Sequence, residues 1–187
     1  NQCQKGLGAS QADTCIPNLH EFKRNYLATL PKAKNVLGRI GLPLTLGMYE
    51  LLPFWNAIFS ELGFEVVVSK PSTRKTYEKG QFSIPSDTAC YPAKIMHGHI
   101  VELMDEKVDA IFYPRITYNV TESGTDNHFN CPVVAYYSDL LRGNMDELKN
   151  IRFIYPFLNI NNEKELAKEL KKYFKATGVL LIAAIIA

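Results

Sequence analysis

The stretch RIGLPLTLGMYELLPFWNAIFSELGFEVVVS, residues 39–69, decides the fold. It begins with a β-rich apolar run at 39–46, and it ends with a second such run at 65–69. Between the runs, apolar residues from Phe54 to Leu62 recur at helical spacing before the stop signal Gly63. Two strands joined by a helix are parallel neighbours in a sheet, since parallel pairing needs a crossover connection.

The same alternation continues along the rest of the chain. Further strands are predicted at 110–115, 132–137 and 151–155, and further helices at 95–104, 139–149 and 163–174. This pattern predicts an α/β fold with a doubly wound, mainly parallel, Rossmann-like sheet and helices on both faces. Ligands of such sheets bind outside the carboxyl ends of the strands.

The chain divides by composition into two parts. Residues 1–34 are polar and irregular and read as a lead-in or linker, with a short helix around 19–30. Residues 35–187 are expected to form the α/β domain. Because the chain starts without methionine and ends in the apolar run 179–187, we expect it to be cut from a longer polypeptide.

Composition limits the classes of function. Lysine and arginine (21) nearly balance aspartate and glutamate (19), so charge predicts neither a nucleic-acid nor a membrane partner. Four cysteines without a signal segment favour a reducing, cytoplasmic location. Neither G-x-G-x-x-G nor G-x-x-x-x-G-K-[ST] occurs, so ATP binding by this chain is not expected.

Cys90 is the best candidate for functional chemistry. It stands shortly before Pro92, which can occupy the first turn of a helix and would place the thiol at its positive end. A nearby Lys94 would add to this effect, which suits a metal ligand or a reactive thiol. The alternative is a small buried residue at a turn.

Cys131 ends the polar loop that precedes the predicted strand 132–137, so it could face the same cleft. The alternative is again a structural role. Cys90 and Cys131 are far apart in the sequence and belong to no C-x-x-C pair, so their spacing does not establish a zinc site. Two thiolates also do not complete an iron–sulfur cluster.

His97-Gly-His99 looks like a chelating pair. Residues two apart on a helix point to nearly opposite faces, however, whereas metal-binding pairs on helices are three or four apart. We expect one histidine to pack against the sheet and bond a backbone group, and the other to face solvent or a ligand. Gly98 would permit close backbone approach.

Several segments together resemble one family. They are residues 39–50 with Pro53-Phe-Trp55, then 64–69, 86–94 with His97-Gly-His99, and 126–132. These segments are similar to the dehydratase-subunit-like region that follows the activase domains in proteins related to 2-hydroxyacyl-CoA dehydratase activases. The resemblance extends from about Pro17 to Leu158.

The resemblance implies a redox module that acts on CoA thioesters, with activase domains of the same or a partner chain as its partner. It implies Cys90 and Cys131 as candidate [4Fe-4S] ligands, with Lys94, His97 and His99 beside them. Arg115 stands where many relatives would carry a cysteine, so a third ligand would come from Cys3, from beyond Ala187 or from a non-cysteine group, or be absent. Arg115 could instead hold a carboxylate or phosphate.

Two other functions remain open. A non-catalytic α/β docking module would keep the fold, connect activase domains to a partner and bind no metal. A metal-free thiol enzyme would use Cys90 with a histidine within hydrogen-bond reach. The isolated chain is not expected to be active alone.

Overall fold

A computed structural model describes residues 17–174, which form two units, one up to Leu30 and the other from Pro31 onward. The first unit contains helix α1, Leu19–Leu27. The Asn18 side chain caps this helix by accepting bonds from the backbone N–H groups of His20 and Glu21. The predicted short helix in this region is confirmed.

The second unit is built on a parallel sheet. The described strands are β1 Gly38–Leu42, β2 Phe64–Val68, β3 Ala110–Phe112 and β4 Arg152–Ile154, in the spatial order β2-β1-β3-β4. Every pairing is parallel. This arrangement confirms the predicted α/β fold with a doubly wound sheet.

Helices connect the strands. They are α2 Gly47–Glu50, α3 Leu52–Glu61, α4 Arg74–Gly80, α5 Tyr91–Asp105, α6 Pro132–Asn144 and α7 Glu163–Lys171, with 3-10 turns at Gln81–Ser83 and Asp146–Asn150. The chain moves one way along the sheet from β1 to β2 and the other way from β2 to β3 and β4. Right-handed crossovers therefore place α3 on one face and α5 and α6 on the other.

An aromatic core holds α3 against the sheet. The Phe112 ring of β3 lies 4.9 Å from both the Trp55 and Phe59 rings, measured between centroids, in edge-to-face geometry. Phe174 packs on Phe59 at 5.4 Å. Trp55 and Phe59 are fully buried, which makes this cluster a major source of burial energy for the unit.

The predicted strand at 132–137 is wrong, because these residues form the first turns of α6. The run of β-branched valines suggested a strand. Pro132, however, stands in the first turn of the helix, where its missing N–H is not needed, and Tyr137 and Leu141 follow one turn apart on the buried side. The predicted helix at 139–149 is the end of α6 followed by a 3-10 turn.

Helices α4 and α5 approach so closely that their backbones touch. A Cβ atom added at Gly98 would lie 1.7 Å from the Thr76 carbonyl oxygen. One added at Gly80 would lie 2.2 Å from the Gly98 nitrogen. The close backbone approach predicted at Gly98 is thus confirmed, and α4 is what approaches it.

Within residues 17–174, none of the helices combines the length and apolar character that crossing a membrane requires.

Candidate functional site

The site lies at the carboxyl edge of the sheet, where strands β1 and β3 end side by side. The chain leaves β1 towards β2 and leaves β3 towards β4, in opposite directions along the sheet. Such a reversal of strand order opens a crevice between the two loops. The fold therefore predicts a ligand site just beyond Leu42 and Phe112.

A narrow pocket occupies this crevice, and we call it the switch-point pocket. Its described lining residues are Gly47, Met48, Leu51, Tyr113, Pro114, Ile116, Asn119, Asn130 and Val134. Its empty volume up to the open mouth is about 310 Å³, of which only a small part is deep enough for a water-sized sphere. The pocket has room for a small group.

Leu46, at the entrance to α2, has an unusual backbone. Its φ of 52° lies in the region that favours glycine, and it directly precedes the pocket residue Gly47. Strained backbone of this kind tends to be retained at functional sites. The loop after β1 is therefore held in a specific shape beside the pocket.

Tyr113 follows β3 and forms part of the pocket wall. The residue is 3% exposed, and its buried hydroxyl has no hydrogen-bond partner among the described residues. Burial, together with the nearby Tyr137, raises the pKa of this phenol well above its usual value, so the hydroxyl stays protonated. Tyr113 thus lines the pocket and carries a buried hydroxyl that has no partner among the described residues.

Tyr137, on α6, belongs to a buried hydrogen-bond chain. Its hydroxyl lies 3.0 Å from His97 Nε2, and His97 Nδ1 lies 2.8 Å from Ser83 Oγ. The Ser83 hydroxyl donates its proton to the Gly80 carbonyl. Because a hydroxyl has one proton, His97 must donate to Ser83 from Nδ1 and accept from Tyr137 at Nε2.

His99 has its own set of partners on the other side of α5. Its Nδ1 lies 2.7 Å from Ser69 Oγ, and its Nε2 lies 2.8 Å from Ser72 Oγ. Burial lowers the pKa of His97 and of His99 to about 4, so both rings are neutral at pH 7. All four ring nitrogens are thus hydrogen-bonded to side-chain hydroxyls within the protein.

The prediction that one histidine bonds a backbone group and the other faces solvent or a ligand is wrong. Both rings are fully buried, and each bonds side-chain hydroxyls, with neither facing solvent. Two residues that face different ways are both buried because α5 is covered on one side by the segment at 69–72 and on the other by α6. The occupied nitrogens also leave neither ring free to activate Cys90.

Cys90 is the N-cap residue of α5, as predicted. Its side chain is exposed, so the alternative of a buried cysteine at a turn does not hold. Burial, and to a smaller extent the nearby Cys90, raises the pKa of the Tyr137 phenol to about 12. Lys94 Nζ donates to the Asp87 carbonyl at 2.6 Å and so closes the loop that precedes Cys90.

Cys131 is the N-cap residue of α6, where a strand had been expected. It is also exposed, and its neighbours Asn130 and Val134 line the switch-point pocket. In both cysteine caps, a proline follows within the first two helical positions. Two helices that begin at this edge of the sheet thus each present a thiol at the positive end of the helix dipole.

Arg115 lies three residues beyond the end of β3. Its Nη1 atom lies 3.4 Å from Asp139 Oδ1, and its guanidinium stands 5.5 Å from the centre of the Tyr155 ring. Backbone bonds to Pro156 and Leu158 anchor it further. The side chain is 30% exposed, so part of it reaches solvent, while its Nε is buried without a partner among the described residues.

A cluster of metal ligands is not preformed in the described part of the chain. Residues 17–174 contain no group of three or more histidine, cysteine, aspartate or glutamate side chains placed to hold a metal ion. Cys90 and Cys131 are soft donors of the type that iron–sulfur clusters use. Cys90 and Cys131 therefore have the donor chemistry of such a ligand set, and the further ligands of a cluster would have to come from elsewhere.

Tyr113 and Tyr137 were not identified from the sequence as site residues. Tyr113 carries a signal, because it directly follows a buried strand at the edge where ligands bind. Tyr137 was missed because residues 132–137 were predicted to form a strand, whereas they belong to α6. It lies in the second turn of the helix that begins with Pro132, and its contact with His97 on α5 shows that it belongs to the site.

Comparisons with known proteins add one finding about family. The family model described as "CoA enzyme activase uncharacterised domain" matches residues 39–184. No curated protein and no solved structure matches the chain significantly.

Proposed function

This chain belongs to the CoA enzyme activase uncharacterised domain family, and on that premise we propose that it is an iron–sulfur module of a redox protein acting on CoA thioesters. In this proposal, Cys90 and Cys131 each contribute a thiolate to a [4Fe-4S] cluster. The protein is of the 2-hydroxyacyl-CoA dehydratase activase type, and activase domains are the partner that delivers electrons.

The placement of the two cysteines is the observation that supports this proposal. Both thiols are exposed N-caps of long helices that begin at the ligand-binding edge of the sheet. Free backbone N–H groups and the helix dipole attract negatively charged groups to a helix N-terminus, and a thiolate is the form of cysteine that binds iron.

The rest of the ligand set must come from elsewhere. A [4Fe-4S] cluster usually has four cysteine ligands, and the described residues provide no third ligand grouped with others. Cys3 lies outside the described residues and is one candidate. Arg115 stands at the end of β3 where relatives would carry a cysteine, so a non-cysteine group or another segment is the alternative.

A bound cluster would supply one-electron transfer, and the residues of this chain would control its surroundings. The two helix N-termini would stabilise its negative charge. Tyr137, held by His97, lies near Cys90 and would form part of the surroundings of the cluster. Lys94 would hold the loop before Cys90 in place through its bond to Asp87.

A second candidate is a docking module without a metal. The lack of a third grouped ligand within residues 17–174 favours it. In that case the fold would connect activase domains to a partner, and Cys90 and Cys131 would be ordinary exposed thiols. The two candidates differ in one measurable property, the iron content.

The test is iron and acid-labile sulfide, with a visible spectrum, on protein purified without oxygen and reconstituted anaerobically. We expect a broad absorbance near about 400 nm with matched iron and sulfide. This signal should be lost in Cys90→Ser and in Cys131→Ser. Colourless, iron-free wild type after reconstitution would overturn the proposal in favour of the docking module.

Two further variants sharpen the experiment. Cys3→Ser tests whether that residue supplies a third ligand. Ser86→Ala serves as the matched control, because it changes a small exposed polar residue in the loop before Cys90 without removing a thiol. Equal loss of iron in Ser86→Ala and Cys90→Ser would show that loop structure, not thiolate ligation, retains the iron.

A further inference from the structure

We propose that the switch-point pocket binds the carbonyl oxygen of a short, uncharged acyl thioester, with the Tyr113 hydroxyl as hydrogen-bond donor. This assignment deepens the proposed function and rests on it, because that function supplies the acyl thioester. It adds the atom that is recognised and the residue that recognises it.

The unpartnered hydroxyl of Tyr113 is the first argument. A buried polar group without a partner costs free energy, and folded proteins rarely keep one. This one is at the wall of a pocket in the crevice where doubly wound sheets bind ligands. The protonated phenol has a proton to donate, and an acceptor that enters the pocket beside Tyr113 would give it a partner.

The pocket lining indicates an uncharged ligand. All the described residues that line it are uncharged, and most are apolar. Each of its two amides has one polar atom engaged, since Asn130 Nδ2 donates to the Ile116 carbonyl and Asn119 Oδ1 accepts from the Val120 N–H. A carboxylate would lose its hydration without gaining a cation, whereas a carbonyl oxygen needs only a donor.

The start of α6 provides further donors. The first backbone N–H groups of a helix have no partner within the helix, and here Pro132 lacks an N–H altogether. The side chain of Cys131 makes no capping bond within the described chain. The amides of Val133 and Val134 are therefore available where Val134 meets the pocket, and they favour a partly negative oxygen.

Pocket size restricts the acyl group. Little of the volume is deep, so a small group fits and a long acyl chain does not. Gly47 helps to keep this space open, because a Cβ atom added there would lie 3.4 Å from Val134 Cγ1. The loop carrying Gly47 is the one with the strained Leu46 backbone.

The test compares two probes that differ in one oxygen. Calorimetric titration of the full chain measures the dissociation constants of acetyl-CoA and of S-ethyl-CoA, in which a methylene replaces the carbonyl. We expect acetyl-CoA to bind about fivefold more tightly, as one hydrogen bond allows. Tyr113→Phe should remove this difference and leave S-ethyl-CoA binding unchanged.

A spectroscopic arm reports on the hydrogen bond itself. The carbonyl stretch of ¹³C-acetyl-CoA should shift to lower frequency in wild type and in the control Tyr173→Phe, which lies outside the pocket. The shift should be lost in Tyr113→Phe and reduced in Gly47→Ala, where the added methyl narrows the pocket. Equal affinity for both probes, or an unchanged shift in Tyr113→Phe, would overturn the assignment.

The acetyl-CoA binding test and the iron and sulfide assay can succeed or fail independently of each other. Iron-free protein that still binds acetyl-CoA through Tyr113 would refute the iron–sulfur proposal and keep the carbonyl site. Protein that holds a cluster but does not distinguish the two probes would do the reverse.

Discussion

The interior around α5 and the pocket at the carboxyl edge of the sheet differ in whether their polar side chains have hydrogen-bond partners. Inside, the four ring nitrogens of His97 and His99 all have partners, at 2.7 to 3.0 Å. At the edge, the Tyr113 hydroxyl has no partner among the described residues, and Cys90 and Cys131 are exposed caps. The contrast separates groups that position α5 from groups left available for a ligand.

The largest expected effect lies at the contact between α4 and α5. Gly98→Ala should destabilise the protein by at least about 4 kcal/mol, because the new Cβ overlaps a backbone carbonyl that cannot rotate away. Chemical denaturation followed by circular dichroism measures this loss. A variant of wild-type stability would show that the two helices can separate at little cost.

Gly143→Ala is the matched control for that substitution. Gly143 is also a helical glycine, but nothing lies within 4 Å of a Cβ added there. The alanine should stabilise the protein by about 0.5 to 1 kcal/mol through its helix propensity.

The second-largest effect is expected on acidification, which should lower the free energy of unfolding. Burial lowers the pKa of His97 and of His99 to about 4, below the ordinary 6.5. Between pH 6.5 and 4 the unfolded chain therefore binds protons that the folded protein does not, so stability is complete above this window and falls as pH falls through it. Each histidine contributes up to about 3 kcal/mol to this loss.

Denaturation of wild type and His99→Gln at pH 7.5 and pH 4.5 measures that contribution. The variant should have a clearly smaller difference in unfolding free energy between the two pH values. An identical difference would mean that His99 is protonated in the folded state.

Two neighbouring tyrosines sharpen the comparison between the regions. Tyr137→Phe removes the donor to His97 Nε2 and leaves a buried acceptor unpaired, so it should cost about 1 to 3 kcal/mol. Thermal unfolding at pH 7.5 measures the change. An unchanged stability would show that the Tyr137 hydroxyl does not stabilise the fold and is, like that of Tyr113, available to a ligand.

The smallest effect is expected at Tyr113. Tyr113→Phe removes a buried hydroxyl that has no partner among the described residues, so its unfolding free energy should equal or exceed that of wild type by up to about 1 kcal/mol. The same thermal unfolding assay measures it. A loss comparable to that of Tyr137→Phe would show that the hydroxyl is bonded within the folded protein.

Much of the fold could be predicted because its signals are local. The runs at 39–46 and 65–69, with Gly63 between helix and strand, predict a parallel pair directly. The segment at 132–137 misled because valines fit both a strand and a helix. Its true state depends on Pro132 and on the packing of Tyr137 against α5, which a short window of sequence does not include.

The candidate site was predicted in part. Cys90 could be placed at a helix start because Pro92 follows it closely, and Cys131 was assigned to the right edge for the wrong reason. The polar partners of His97 and His99 could not be predicted, since Ser69, Ser83 and Tyr137 come from three separate elements. Family membership extends over most of the unit, from residue 39 to 184, and agrees with the motifs that suggested it.

By itself, the sequence determined the parallel α/β architecture, the family and the position of one cysteine at a helix start, because periodicity, caps and motifs act over a few residues. Tertiary structure alone decided that both histidines are buried, that Tyr113 has no partner among residues 17–174 and that a pocket lies between the loops after β1 and β3. These properties arise when residues distant in the chain meet, and burial and hydrogen bonding then depend on every neighbour at once.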